Sequence, residues 1–286
     1  MKNKAKKTLS AQCLMRIQNI FENNNWAIEC SEGSDTSHFN RFCKRVLDIG
    51  ENRKRDLFLE LAERYLWIKQ EQYMDLLMKT MEKLVLNEEK VREADKLYVM
   101  PLISPEDREK VKSSSMLTYM FNDVVFRYGA FSKYKIELLC NISEVGKKLL
   151  EDKVVLLLVD DFIGTGETAE KCLFSLNVED TLYHKIKIVS LVAQEEGMQR
   201  MLKYGVSVVA YIERNKGISD YYSSDVVSAK VEIMEQIENG MSVKGEFRMG
   251  YGKSEALVTM CRTPNNTFPV FWDESGNMKS APFPRY

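Results

Sequence analysis

Two histidines, His38 and His184, and six cysteines with no Cys-x-x-Cys pair leave little material for a metal centre or a disulfide framework. The thiols Cys13, Cys30, Cys43, Cys140, Cys172 and Cys261 lie far apart, which suits reduced and mostly buried side chains. His38 and Cys43 invite a zinc reading, but no second Cys/His pair completes a four-ligand set, so no metal ligand is assigned. Net charge is also lacking: 41 basic residues stand against 42 acidic ones, and no global field draws nucleic acid or an anionic membrane. No basic groove with interleaved aromatics stands out, so direct nucleic-acid binding is not indicated. No apolar run approaches the ~20 residues that a bilayer requires. The opening MKNKAKK is basic but leads into the mixed stretch TLSAQCLMRIQNIF rather than the apolar core of a signal peptide, and a cytoplasmic protein is expected.

What is present is a chain of 286 residues, 44% hydrophobic, enough for one large domain or two smaller ones. Neither Pro nor Gly interrupts residues 51–100, where Leu57, Leu61, Tyr65, Ile68, Tyr73, Leu77 and Leu84 recur at helical spacing. Such an amphipathic stripe must be buried, in a core or against a partner helix. The first 95 residues are expected to form a helical region. From Lys96 the texture changes: LYVMPLI, KIELLCNI, VVLLLVDD, KIKIVSLVA and VSVVAYI read as strands separated by helical stretches. Continuously apolar strands of this kind belong to an α/β domain with a mostly parallel sheet, covered on both faces, over residues 96–286. Beyond Glu213 the pattern weakens. EALVTMC is one more strand candidate, and TPNNTFPVFWDESGNMKSAPFPRY reads as loop. In that tail Tyr251, Asn265, Asn266 and Trp272 either cover a ligand or pack to tie the end down.

The chemistry concentrates in KVVLLLVDDFIGTGET, Lys153 to Thr168. An apolar strand ends in Asp160 and Asp161, and Gly164-Thr165-Gly166-Glu167-Thr168 opens a helix. A loop at a helix start aims backbone N–H groups at whatever sits there, and glycines allow close approach. The acids accept hydrogen bonds from hydroxyls, so a sugar phosphate suits both halves. In the plain alternative, one Asp caps a turn and the glycines shape it. A Walker A loop is excluded because Glu167 stands where its lysine would be. Gly164 to Ala169 fits G-x-G-x-x-A, with Glu195 available for a ribose, but two carboxylates before the loop repel a pyrophosphate. A phospho-receiver lacks its later aspartate, since KIKIVSLVA and VSVVAYI end without one.

Leu156 to Thr168 resembles the phosphoribosyl-pyrophosphate signature of type I phosphoribosyltransferases: apolar residues, two acids, apolar residues, then Thr-Gly-x-Thr. The resemblance implies a sheet of that family's topology behind the N-terminal helical region. It implies that Asp160 and Asp161 hold the ribose 2′- and 3′-hydroxyls, and that Gly164, Thr165, Gly166, Glu167 and Thr168 hold the 5′-phosphate. The family's pyrophosphate loop corresponds to residues 103–115, where Lys112, Ser113 and Ser114 are either ligand contacts or ordinary helix N-cap residues. A long mobile lid is not evident, since Gly129 to Tyr134, with Lys133 and Lys135, is short. The helical region, LYVMPL and the ending GYGKSEALVTMCRTPNNTFPVFW are similar to a divergent branch found in bacterial conflict and anti-phage loci, some of whose members accompany retron reverse transcriptases. The branch implies an effector or accessory role in defence. It carries three alternatives: glycosyl transfer from phosphoribosyl pyrophosphate with Mg²⁺ held through the substrate, N-glycosidic hydrolysis of nucleotides, or an inactive nucleotide-binding sensor or scaffold docking a defence partner.

Overall fold

Every residue from Val154 to Val159 is buried, and so is every residue from Ile186 to Ala193. Only strands covered on both faces can bury consecutive side chains. The computed structural model describes residues 8–29, 37–110, 112–127 and 129–285. The segment MKNKAKK, Cys30 and Tyr128 lie outside them. In chain order the elements begin with helices α1 (Ala11–Asn23), α2 (His38–Ile49) and α3 (Asn52–Ala62), strand β1 (Leu66–Trp67), and helices α4 (Tyr73–Asn87) and α5 (Glu89–Glu93). Next come β2 (Lys96–Pro101), α6 (Ser113–Arg127), β3 (Lys135–Leu138), α7 (Val145–Leu149), β4 (Val154–Ile163) and α8 (Glu167–Ser175). The last are β5 (Ile186–Gln194), α9 (Glu195–Leu202), β6 (Ser207–Arg214), α10 (Ser224–Glu238) and β7 (Val258–Thr259).

The chain divides into two compact units, residues 69–215 and residues 1–68 with 216–286. The expected division at 95/96 therefore differs from the grouping by contacts. The reason lies in α4, which packs on β5 and β6, with the Lys83 ammonium donating to the Ala210 carbonyl at 2.8 Å. Helical periodicity runs on across Ile68 and Lys69, although Leu57 to Ile68 are buried in one unit and Tyr73 to Leu84 in the other. A strand, Leu66–Trp67, also interrupts what reads as helix.

In the 69–215 unit the five strands are parallel, in the order β3-β2-β4-β5-β6. The α/β, mostly parallel sheet expected from the sequence is thus observed. Leu156, Leu158, Ile186 and Ile188 pack with Leu149, Cys172, Leu173 and Met201 of α7, α8 and α9. The opposite face carries α4 and α6. Lys187, buried within β5, is neutralised by Glu88 at 2.8 Å, which explains a lysine in a central strand. β4 runs two residues past the acids, through Phe162 and Ile163.

In the other unit, Ile17, Phe21, Phe42, Val46, Phe58 and Leu61 share a core with Ile233, Met234, Phe268, Phe271 and Phe283. β1 pairs in parallel with β7, and the Tyr65 hydroxyl sits 3.1 Å from the Val258 carbonyl and 2.7 Å from Thr259 Oγ1. The buried Arg45 guanidinium donates to the Ser280 and Asp273 carbonyls. Helix α10 corrects the reading of a weak pattern beyond Glu213: its stripe of Val226, Val227, Val231, Ile233, Met234 and Ile237 is rich in β-branched residues, whose helix propensity is low. Tail residues pack within this unit, Trp272 Nε1 donating to the Thr267 carbonyl at 2.7 Å and Tyr251 N to the Asn265 carbonyl at 2.8 Å. His38 lies among the rings of Phe21, Trp26, Trp67 and Phe283. Cys172 is buried and Cys13 and Cys43 half-buried, but Cys140 and Cys261 are exposed, contrary to the expectation of mostly buried thiols. Among the described residues no helix is long and apolar enough to cross a membrane.

Glu238 ends α10 fully buried, both carboxyl oxygens accepting from Met249 N at 3.1 Å. Burial raises its pKa from 4.5 to about 7. A raised folded-state value means that the stabilising contribution is complete below pH 4.5 and is lost as pH rises through 7. Urea denaturation of Glu238→Gln should therefore show a stability gap from the parent chain that shifts in favour of the variant between pH 5 and 8, by at most about 3 kcal/mol. A gap that stays constant over that range would refute the assignment.

Candidate functional site at the switch point of the sheet

From β2 the chain steps outward to β3, then returns so that β4 pairs with the other edge of β2 before β5 and β6 follow. Strand order reverses between β2 and β4. In an open parallel sheet a crevice forms beyond the carboxyl ends of the strands at that reversal. Asp160 and Asp161 occupy one lip, near the end of β4, and the segment after Pro101 occupies the other.

Alternation along β4 turns the two acids to opposite faces. Asp161 is buried and meets the starts of two helices: Tyr73 of α4 donates its hydroxyl to Oδ2 at 2.7 Å, and Ser113 of α6 donates to Oδ1 at 2.8 Å. Asp160 keeps part of its surface open, and its Oδ1 accepts from Asp161 N at 2.9 Å. Burial lifts the Asp160 carboxyl well above the ordinary carboxylate range, the charge of Asp161 adds to this, and Lys112 pulls against it. Burial raises Asp161 as well, opposed by the hydroxyls of Tyr73 and Ser113. Two adjacent carboxyls with little water resist carrying two full charges, so the pair is primed to receive hydroxyl donors or a cation.

The glycine loop follows without a break. Gly164, Thr165 and Gly166 are buried, Gly166 takes the left-handed φ of 79°, and α8 starts at Glu167. Packing explains two glycines here. A Cβ on Gly197 of α9 would stand 2.3 Å from the Gly164 carbonyl oxygen and 3.0 Å from Gly166 N, and one on Gly166 would stand 3.0 Å from Gly197 Cα. The loop is therefore clamped against α9, which holds the start of α8 in place. Two glutamates lie in the first turn of α8 and would oppose an anion, but Glu167 pairs with Lys171 at 2.9 Å and Glu170 meets Arg200 and Tyr204. Thr168 is exposed.

Asp160, Asp161, Ser113 and Lys112 are thus brought together, though Lys112 also pairs with Asp107 at 2.7 Å. Ser114 is buried, and its carbonyl accepts from Thr118 inside α6, a helix-interior role. Glu195 bonds Gln199 on its own helix at 2.6 Å. Of the segment ahead of β3, Phe131 and Tyr134 are buried and Lys133 bonds the Arg92 carbonyl at 3.0 Å. Tyr73 and Gly197 are site residues that the sequence does not single out. A glycine in the amphipathic helix EEGMQRML is a detectable oddity, because it weakens a helix by ~1 kcal/mol, whereas Tyr73 reads as one more core aromatic. Among the described residues no three His, Cys, Asp or Glu side chains cluster to hold a metal ion.

The PRTase-CE family profile matches residues 18–285, both units together. The chain belongs to the PRTase-CE family. This is a divergent phosphoribosyltransferase family associated with conflict systems. No curated protein matches this PRTase-CE chain. Among solved structures it is similar to hypoxanthine-guanine phosphoribosyltransferase from Schistosoma mansoni in complex with IMP, at 20% identity over 46% of this chain and 58% of that one, with a TM-score of 0.29. It is also similar to the Leishmania tarentolae enzyme in complex with GMP, at 16% identity over 52% of this chain and 80% of that one, with a TM-score of 0.31.

Two substitutions, with Tyr119→Phe as a control, test how this PRTase-CE site is built. Tyr73→Phe leaves the Asp161 carboxyl short of a donor and should cost about 1–3 kcal/mol in chemical denaturation, while Tyr119→Phe, at an exposed position of α6, should cost nothing. Equal stability of the two variants would mean that the hydroxyl contributes nothing. Gly197→Ala should cost about 1–3 kcal/mol by overpacking and shift the amide NMR resonances of Gly164 to Glu167; a silent spectrum would remove the clamp.

Proposed function

We propose that this protein binds a ribose 5-phosphate-type ligand, of which phosphoribosyl pyrophosphate is the leading case, at the crevice between β2 and β4. The observation that carries the reading is the half-buried Asp160, whose side chain no other side chain among the described residues is shown to satisfy, a few residues before a clamped glycine loop that opens α8. In this reading Asp160 accepts hydrogen bonds from the ribose diol. The backbone N–H groups of Thr165 to Thr168 receive the 5′-phosphate, favoured by the positive end of the α8 dipole. Asp161 serves chiefly to position, since Tyr73 and Ser113 already donate to both its oxygens. Lys112 and Ser113 contribute to the pyrophosphate side.

The residues present fit Mg²⁺ held mainly through substrate oxygens, with Asp160 the carboxylate nearest to hand, because magnesium favours oxygen donors and substrate phosphates over a protein cage. Bound there, the ion would offset charge on a departing pyrophosphate. The chain itself orients the ribose and holds the phosphate, which is where positioning and electrostatics act. Glycosyl transfer breaks the bond from C1 to the pyrophosphate oxygen, the electron pair leaving with pyrophosphate, and a base nitrogen attacks C1. With water as nucleophile on a nucleotide the same pocket would hydrolyse an N-glycosidic bond.

A second reading, a nucleotide-binding sensor or scaffold without turnover, draws support from the buried Phe131 and Tyr134, which anchor the short stretch ahead of β3 where a lid would be sought. In either case we place the protein in the cytoplasm as an effector or accessory component of anti-phage defence, with a retron reverse transcriptase or another defence protein as partner.

Calorimetric titration with phosphoribosyl pyrophosphate and Mg²⁺, beside ribose 5-phosphate, NAD and ATP, tests the reading. The first ligand should bind, Asp160→Asn should weaken it at least about tenfold, or ~1.4 kcal/mol, and affinity should rise from pH 5 to 8 as the raised carboxyl ionises. Absence of binding by every ligand would sink the ribose-phosphate reading and leave the scaffold.

A further inference from the structure

On the β3 side of the sheet lies a cleft of about 590 Å³, beyond the carboxyl ends of β2 and β3. Its floor is aliphatic: Met100 and Pro101 end β2, and Leu138, Leu139 and Ile142 follow from β3. Tyr119 of α6 forms part of the lining while 74% exposed, a large aromatic surface that packing within the unit leaves open. Polar groups are few. Ser115 presents a hydroxyl, Asn141 an amide, and Arg108 an exposed guanidinium that makes no ion pair among the described residues, while the Thr118 hydroxyl donates to the Ser114 carbonyl. Cys172 is the innermost side chain of the lining, its thiol pushed up to about 11 by burial and drawn down slightly by Arg108. Arg108 is itself part of the lining, so its charge borders the cleft.

We propose that this cleft is a binding site for a flat, mainly apolar small molecule carrying one anionic group, which would meet Arg108. The volume falls in the range of small-molecule sites, ~300–1,000 Å³, and a largely apolar wall with a few convergent polar groups is the composition such sites share. An arginine fork recognises a carboxylate or a phosphate equally well, while Tyr119 and the leucines favour a ring. The Asn141 side-chain oxygen accepts from Ser143 N and Oγ, which leaves its NH₂ to face a ring edge. Two sources supply this chemistry, an aromatic acid and a nucleoside monophosphate. Neither Asp160 nor the glycine loop lines the cleft, although Ile103, Arg108 and Ser115 belong to the segment 103–115 that borders the candidate site.

Full-length protein is titrated with 1-naphthoate, its neutral counterpart 1-naphthamide, AMP and adenosine. Alkylation of Cys140, an exposed thiol of the lining, is followed in parallel by mass spectrometry. At least one of the two anions should bind and slow alkylation of Cys140 but not of the exposed Cys261. Arg108→Ala should weaken that anion at least about tenfold while leaving its neutral counterpart unchanged, the size expected of one charge-assisted pair. Asp160→Asn should leave this binding intact, even if it abolishes binding of phosphoribosyl pyrophosphate. AMP bound with the same Arg108 dependence identifies a nucleotide as the source, and naphthoate alone identifies a free aromatic acid. The proposal is overturned if neither anion protects Cys140, or if Arg108→Ala binds the anion as tightly as the parent chain.

Discussion

The end of β4 depends on one arrangement, a buried carboxylate held by two hydroxyls. Asp161 lies inside the sheet unit, where an unpaired charge is costly, and the donors that satisfy it come from the first turns of α4 and α6. Those helices are distant in the chain, with Tyr73 and Ser113 forty residues apart. One carboxylate thus sets where both begin, on the face of the sheet that carries them. Because side chains alternate along a strand, the same register sends Asp160 to the other face, toward Cys172 and the start of α8. Splitting an acid pair across a strand gives the two acids different work: one anchors scaffold, and the other stays partly open at the crevice.

The glycine loop follows a parallel logic. Glycine before a helix is commonly read as room for a phosphate, yet Gly166 and Gly197 are here required by each other, since a Cβ on either would meet backbone. These readings do not exclude one another. A loop that must place N–H groups within hydrogen-bonding distance of a ligand needs rigid backing, and close contact between loop and α9 supplies it without any side chain to reorganise. Pairing of Glu167 with Lys171 and of Glu170 with Arg200 has a similar effect, because it offsets carboxylates that would otherwise repel an anion at the start of α8.

Much of this unit was legible in the sequence because parallel strands leave a strong trace. VVLLLVDD, KIKIVSLVA and VSVVAYI are predominantly apolar runs, and each coincides with a strand to within about two residues. The site was legible in part, since the acids and the glycine loop are contiguous. Tyr73 was not, because a tyrosine at a helical core position looks the same whether its hydroxyl meets a carboxylate or a carbonyl. The boundary between units was hidden for a related reason. Periodicity reports that a face is buried and is silent on which core receives it, so Leu57 to Leu84 reads as one stripe although α3 and α4 serve different cores. Helix α10 escaped because β-branched residues blur the contrast between strand and helix in a short window.

Asp160 and the apolar cleft are both bordered by the segment that follows β2. Pro101 and Ile103 line the cleft, and the segment they begin runs on through Asp107 to Lys112, whose charge is felt by Asp160. Asp107 is held below the usual carboxylate range by Lys110 and Lys112 together, and Glu106 pairs with Lys171 of α8 at 3.1 Å, so this loop is braced largely by ion pairs. A braced loop between two proposed sites transmits a change only if ligands at the two favour different arrangements of it. Coupling through Lys112 therefore requires that a ligand at either surface alter its pairing with Asp107, since that contact, unlike the sheet register on either side, can break without exposing a core.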